Sequence, residues 1–448
     1  MAHDLEGLTA AMLQAARRAG ADAADALAVA GSSVSVEVRG GRLEHAERAD
    51  GVDLGLRVLI GRRQACVSAS DTSARTIAEM AERAVAMARE APEDPTAGLA
   101  DPAELATLRE GATLQPCDPA PEPAPADLQR DAAEAEAAAL AIAGISQVDG
   151  AHAGYGLRHA HMAATNGFAA GLSRSSRSVS CTAITGEGTG MERDWAGESR
   201  VWQADLPTPA EVGRLAAERT LARAGARRPP TGAFPVIFDE RVASSLIGHL
   251  VGAANGGAVA RGASWLRDAL GTQVLPRGLS LREDPHRPRM SSSRLWDAEG
   301  LATRPRDIVA DGILMSYVLD LATARKLGMQ STANAGRGTS GPPSPGTTNL
   351  DLTQGSADRA ALARMMGRGL IVTGLIGSTI NPTTGDYSRG ASGLWVEGGE
   401  VVHAVNGCTI AGNLREFLPR IIPANDARMH LSIRVPSLLV EGLMLAGD

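Results

Sequence analysis

Between residues 34 and 60, apolar and polar side chains alternate twice. Val34, Val36 and Val38 are interleaved with Ser35 and Glu37. Gly40 and Gly41 then turn the chain, and Val52, Leu54, Leu56 and Val58 repeat the alternation before Gly61 opens the next turn. A period of two puts every apolar side chain on one side of a pleated strand, so this segment is restricted to an antiparallel meander with one face buried. Helices are the natural cover. Leu5, Leu8, Met12, Ala15 and Ala19 recur at spacings of three and four, which predicts a helix from about Asp4 to Ala19 capped by Gly20. Ile77, Met80, Ala84 and Met87 predict a second helix from about Ser73 to Ala91, with Arg75 and Glu79 paired on its surface and Pro92 as its stop.

The stretch LQPCDPAPEPAPAD carries prolines at 116, 119, 121, 123 and 125 and can form neither helix nor sheet; it reads as a stiff connector or an exposed strap. Beyond it a helix is expected over about Asp127–Ala143, then long strands over 145–205 with Asn166-Gly167 as a hairpin turn. Thr208-Pro209-Ala210-Glu211 is a capping box that opens a further helix to about Ala224. The strand FPVIF leads into a helix over about Glu240–Ala254 ending at Asn255-Gly256-Gly257. Residues 278–346 are rich in Gly, Pro, Ser and Arg and suggest long ordered loops, and the apolar runs LIVTGLI and PSLLVEGLML return the chain to strands. These patterns predict an α+β fold of mixed, mainly antiparallel sheets with flanking helices, with a smaller N-terminal portion and a larger strand-rich C-terminal portion. The expected division is 1–115, a connector at 116–127, a central strand-rich segment at 128–230, and a C-terminal domain at 231–448.

Composition removes several functions. Lys326, in ARKLG, is the sole lysine, so a phosphate-cradling loop with its obligatory lysine is absent. A net charge of -7 and only 3% aromatic residues argue against direct nucleic-acid binding. The four cysteines, Cys66, Cys117, Cys181 and Cys408, form no CxxC pair and fit a reducing compartment. Asp4 and Glu6 stand where a signal peptide would be basic, and no apolar run reaches the roughly 18 residues of a membrane span. A soluble cytoplasmic protein with no membrane partner is expected.

The nine histidines make a metal site the first chemistry to test. No His-Glu dipeptide occurs, so neither HExxH nor HExxxH is present. His159 and His161 share one face of a predicted strand, with His152 upstream; strand histidines facing solvent or a partner are the favoured reading over a metal site. No GxSxG elbow occurs, and Gly186, Gly188 and Gly190 read as a tight strand-end turn. Arg282, Arg287, Arg289 and Arg294 cluster in LREDPHRPRMSSSR. A solvated loop partly neutralised by Glu283 and Asp284 is favoured there over a grip on a carboxylate or phosphate.

Taken together, GLRVLIGRRQACVSASD, APEDPTAGLADP, TGMERDW, SSLIGHLVGAANGGAVARGASWLRDALGTQVLP, EDPHRPR, DAEGLATRP, PSPGTTNLDL, NPTTGDYSRGASGLWVEGGE and TIAGNL resemble the PmbA/TldE branch of the TldD/PmbA family, once called modulators of DNA gyrase. The likeness covers nearly the whole chain. In the TldD branch a helix carries HExxxH and a cysteine near the C-terminus completes a zinc site. Here the matching positions are Ser244, Ser245 and His249, and PRIIPANDARMHLSIRVP contains no cysteine; Cys408 lies too early to be carried over. The resemblance therefore implies a metal-free chain without catalytic residues, supporting a TldD-like partner that holds zinc, in a heterodimer that cleaves unfolded peptides. His249, following Val242 and Leu246 on an apolar helix face, is expected to be a packed, hydrogen-bonded core residue. Arg287, Arg289, Gly336, Gly338 and Gly390 are the expected peptide-cleft contacts. Two other readings stand beside this one: a self-sufficient metallopeptidase with ligands drawn from His152, His159, His161, His286 or His403, and a regulatory binding module without a protease role.

Overall fold

In a computed structural model describing residues 4–447, β1 (Ala23–Arg39) and β2 (Arg42–Ile60) form one long hairpin, from Ala23 opposite Leu59 to Arg39 opposite Arg42. Gly40 and Gly41 make its turn at φ 59° and 71°, left-handed values that glycine adopts without strain. The strands run well past the valine alternation. Residues 23–31 continue it with Ala24, Ala26, Ala28 and Ala30, whose small side chains let α1 (Leu5–Ala19) lie close. α1 begins at Asp4, whose carboxylate accepts from the Gly7 amide at 2.8 Å, and ends at left-handed Gly20. α2 (Ala74–Glu90) is capped by Ser73 and packs Ile77, Met80 and Ala84 onto β3 (Arg63–Ala69) and β2. Burying side chains the size of Ile77 and Met80 contributes roughly 1.5–3 kcal/mol each.

The proline-rich connector divides the chain but not the sheet. β4 (Ile145–Ala164) pairs with β1 from Asp25 opposite Ala164 to Val38 opposite Ala151. The order β3-β2-β1-β4-β5-β6, with β5 at Ala169–Thr185 and β6 at Glu192–Arg200, is antiparallel throughout. The β4–β5 turn is Asn166-Gly167, with Gly167 at φ 95°. α3 (Pro125–Leu140) and α4 (Pro209–Leu221) cover the half of this sheet that α1 and α2 leave open, on the same face. Thr208 and Glu211 form the reciprocal capping box at the start of α4. The connector lies across the sheet as a strap: the Ser175 amide donates to the Pro116 carbonyl, and the Asp118 carboxylate accepts from the Gln203 amide at 2.7 Å.

In the C-terminal portion β7 (Gly232–Phe238) runs parallel to residues 369–380 and antiparallel to residues 438–446. Residues 369–380, 386–397 and 400–413 form a meander, and Thr409 opposite Ala446 closes these five strands into a barrel. α5 (Glu240–Ala253) packs Ala243, Leu246, Ile247 and Leu250 into the main core with Phe238 and Tyr387. α5 ends just before Asn255-Gly256-Gly257, where the sequence places its stop. Asn255 caps a second short helix over Gly256–Ala260, and Gly256 is required there because a Cβ would stand 2.6 Å from Leu319 and 2.9 Å from the Val318 carbonyl. The mixed α+β class agrees with the sequence patterns. Among the described residues no helix is long and apolar enough to cross a membrane.

Candidate functional site

A strand buried on one side by helices still has a second face. On that face Leu27, Val29 and Gly31 of β1, even-numbered residues of β4 and β5, and Trp195 of β6 look across at the C-terminal portion. Between them lies a cleft of about 1310 Å³. Its far wall is built from Ser244 of α5, the loop containing Arg289–Ala298, Arg337, and the loop Arg428–Ile433.

One end of the cleft is charged. Glu198 on β6 accepts from Arg200 Nη1 at 2.7 Å and is also ion-paired with Arg428, and His430 Nε2 lies 3.2 Å from the same carboxylate. Burial and the surrounding Arg200, Arg428 and Arg434 push the His430 imidazole down to about 4, so it is neutral at pH 7. Glu240, the first residue of α5, lies 3.8 Å from Arg428, and burial beside Asp239 pushes its carboxyl up to about 7. Sequence patterns gave no sign of this cluster, because its members come from three segments that only the fold joins.

Of the three positions matched to HExxxH, only Ser244 borders the cleft. Ser245 turns back on its own helix, its hydroxyl donating to the Val242 carbonyl at 2.6 Å. His249 is only half-buried. Its ring sits 6.0 Å from the Tyr387 ring, and its Nε2 is shielded with no hydrogen-bond partner. The expectation of a hydrogen-bonded core histidine is thereby corrected: Tyr387 supplies a ring edge rather than an acceptor. Burial and nearby Arg389 hold the imidazole below its ordinary pKa.

The other histidines are dispersed. His159 and His161 share the helix-covered face of β4, where His159 Nδ1 is 2.7 Å from Ser173 Oγ and His161 Nδ1 is 2.8 Å from Thr9 Oγ1 on α1. His161 therefore packs against a helix rather than facing solvent. His152 lies on the opposite face, 3.6 Å from Glu37. His286 Nε2 is 3.2 Å from Thr303 Oγ1, and His403 lies in the barrel. Among the described residues no group of three or more His, Cys, Asp or Glu side chains is arranged to hold a metal ion.

The arginine-rich loop also differs from its sequence reading. Only Arg282 is mainly solvent-facing, with its side chain 57% exposed. Glu283, 2% exposed, accepts from Thr348, Asn334 and Arg306. Arg287 is buried, 3.4 Å from Asp351 and donating to the Leu431 and Ser432 carbonyls, so it fixes the loop that carries His430. Arg289 stacks 3.8 Å over Trp202 and pairs with Asp205 at 3.0 Å. The loop is not solvated because its carbonyl and carboxylate partners arrive from distant segments. Arg289 alone of the five expected cleft contacts borders the cleft. Gly336 is paired in a two-stranded ribbon with Ser344, Gly338 is exposed, and Gly390 lies in a barrel strand opposite Thr409. Arg337, between those two loop glycines, does reach the cleft.

Residues 24–88, 118–224 and 231–447 match, in that order, PmbA/TldA metallopeptidase domain 1, the central domain and the C-terminal domain. The metalloprotease PmbA of Escherichia coli O157:H7 is 37% identical over 421 residues, which is 93% of this chain and 90% of that protein. The chain belongs to the PmbA/TldD metallopeptidase family. A PmbA homologue of Haemophilus influenzae is 34% identical over 97% of this chain and 94% of its own length. Among solved structures, a Bacteroides thetaiotaomicron protein named for modulation of DNA gyrase superposes with a TM-score of 0.91 at 26% identity, each chain covered in full. TldE from Thermococcus kodakarensis shares the fold, with a TM-score of 0.85 at 19% identity over 98% of this chain and all of that one.

A PmbA/TldD metallopeptidase is expected to use zinc, and the residues at this cleft do not fit the ion. Zinc takes three or four His, Cys or carboxylate donors. Ser244 and Ser245 present hydroxyls, His249 packs its ring in a T-shaped contact with Tyr387 and keeps Nε2 shielded, and Glu198 is already engaged by two guanidinium groups. A further cation beside Arg200 and Arg428 would meet like charge.

Proposed function

We propose that this chain is the PmbA/TldE-like supporting subunit of a cytoplasmic metallopeptidase, metal-free itself and paired with a TldD-like subunit that carries zinc. The complex would cleave unfolded peptides. The observation that carries this reading is the cleft's chemistry at α5: Ser244 faces it, Ser245 bonds Val242, and arginine-paired Glu198 occupies the neighbouring wall. A chain with that wall can bind and orient a peptide, while hydroxyls of Ser244 and Ser245 stand where HExxxH would supply a metal ligand and the general base. An open cleft bordered by β6, the edge strand of the sheet, suits an extended chain that adds to that edge by backbone hydrogen bonds, which tolerate many sequences. The test is co-expression with a TldD-like protein, followed by gel filtration, metal analysis of each subunit and a peptide-cleavage assay. Co-elution with zinc confined to the partner is expected. Cleavage by this chain alone with stoichiometric zinc overturns the proposal.

A further inference from the structure

Arg158 on β4 and Arg174 on β5 stand directly opposite each other, on the sheet face that lines the cleft. Like charges in that position repel and weaken a sheet by a fraction of a kcal/mol. On the other side of β5, by contrast, Arg177 meets the Asp131 carboxylate at 2.9 Å. Among the described residues neither Arg158 nor Arg174 has an ion pair, and burial together with the neighbouring Arg158 and Arg294 holds the Arg174 guanidinium below its ordinary pKa. Arg174 donates from Nη2 to the Ser293 carbonyl, while its Nε–H is shielded from solvent with no acceptor. Arg294 completes the group. Its two Nη atoms reach the Ala335 and Gly346 carbonyls at 2.9 and 3.2 Å, and its deeply buried Nε–H likewise lacks an acceptor.

The wider wall shows the same bias. Among the described residues eight arginines border the cleft against four carboxylates, in a chain whose formal net charge is -7. Of those carboxylates, Glu198 is bound by Arg200 and Arg428, and Asp297 accepts from the Leu301 and Ala335 amides at 3.0 Å each. Guanidinium N–H groups withdrawn from water and left without acceptors are costly, and an incoming oxyanion would satisfy them while relieving the repulsion between Arg158 and Arg174.

We propose that Arg158, Arg174 and Arg294 form a carboxylate subsite, so that the cleft selects extended peptides carrying an acidic group, either an Asp or Glu side chain or the C-terminal carboxylate. The proposal rests on the reading that the cleft holds peptides, and it names the class of peptide. The full chain is titrated by fluorescence polarisation with labelled, C-terminally amidated peptides of Gly, Ser and Ala that contain either a central Glu-Asp pair or Gln-Asn. A third peptide has no acidic side chain but a free C-terminus. The Glu-Asp peptide is expected to bind about tenfold tighter than its Gln-Asn twin, the equivalent of one charge-assisted hydrogen bond. Tighter binding of the third peptide than of the Gln-Asn twin assigns the subsite to chain ends as well. Arg158→Gln and Arg174→Gln are each expected to bring the Glu-Asp peptide to the affinity of its Gln-Asn twin, whereas Arg75→Gln on the distant face of α2 leaves the preference intact. Arg158 is exposed, so its variant is expected to fold. Equal affinity for the Glu-Asp and Gln-Asn peptides, or binding of neither, overturns the subsite. Cleavage by the complex with a TldD-like subunit is scored separately on the Gln-Asn peptide, so loss of acid selectivity and loss of the peptide-holding role are distinguishable.

Discussion

Arg337, from the glycine-rich loop of the C-terminal portion, forms a buried ion pair with Asp25 on β1, their side chains 1% and 5% exposed. Asp25 also accepts from Arg57 Nε at 2.6 Å, so one carboxylate holds two guanidinium groups between the N-terminal sheet and the loop. Burial holds the Arg337 guanidinium down to about 10, still protonated at neutral pH. The two portions of the chain are joined here by charge rather than by apolar packing.

Asp25→Asn is expected to be more destabilising than Arg337→Ala. The first leaves two buried cations facing a neutral amide and costs about 3–5 kcal/mol, whereas the second leaves the Asp25–Arg57 pair intact. Urea unfolding of the two variants checks the order; a larger loss for Arg337→Ala would contradict it.

The same loop presses on β2. A Cβ at Gly55 would lie 2.4 Å from the Thr339 carbonyl oxygen, a backbone atom that cannot swing aside. Gly55→Ala should therefore lower stability by about 1–3 kcal/mol. Gly51→Ala in the same strand, where the added methyl meets nothing within 4 Å, should change it little. Melting temperatures of both variants decide the point.

Glu299 is pushed up to about 8 by burial, with Asp297 next in effect and its own bond to the Leu321 amide opposing. A folded pKa above the unfolded one means the native state holds the proton longer, so stability falls as pH rises through the window and is lost by the folded pKa. Glu240, at about 7, acts in the same sense but is already half ionised at pH 7, while neutral His430, held at about 4, acts oppositely and only in acid. Between pH 7 and 8 the protein should lose about 1 kcal/mol, and Glu299→Gln should remove most of that slope. Denaturant midpoints at the two pH values measure it.

Restoring the missing letters should not restore the metal. The double variant S244H/S245E completes HExxxH with His249, yet the other donors on the cleft wall, Glu198 and His430, are tied up with Arg200 and Arg428, which also make that wall cationic. Zinc content well below one ion per chain is expected by elemental analysis; stoichiometric zinc would show that the helix alone suffices.

Local rules were readable where their physics is local. The Thr208–Glu211 capping box, the Asn166-Gly167 turn and the cap of α2 just before Pro92 each depend on a few adjacent residues, and each stands where the sequence placed it. The start of β1 was hidden because Ala24, Ala26, Ala28 and Ala30 carry the alternation with side chains too small to mark it. The buried arginines were misread for a different reason. Arg287 finds the Ser432 carbonyl 145 residues away, and nothing near Arg287 announces that partner.

Motif order and apolar periodicity determined the α+β class and the family, and they determined that the helix at 240–253 lacks two letters of HExxxH. These are properties of residue identity and spacing, which the chain carries in itself. Tertiary structure alone decided that β1 and β4 join across the proline strap into one sheet, that Ser244 faces the cleft while His249 turns to Tyr387, and that Arg158 and Arg174 face each other without a counter-ion. Each of these depends on strand register and on contacts between segments far apart in sequence, where closing the chain brings together groups whose spacing holds no record of the meeting.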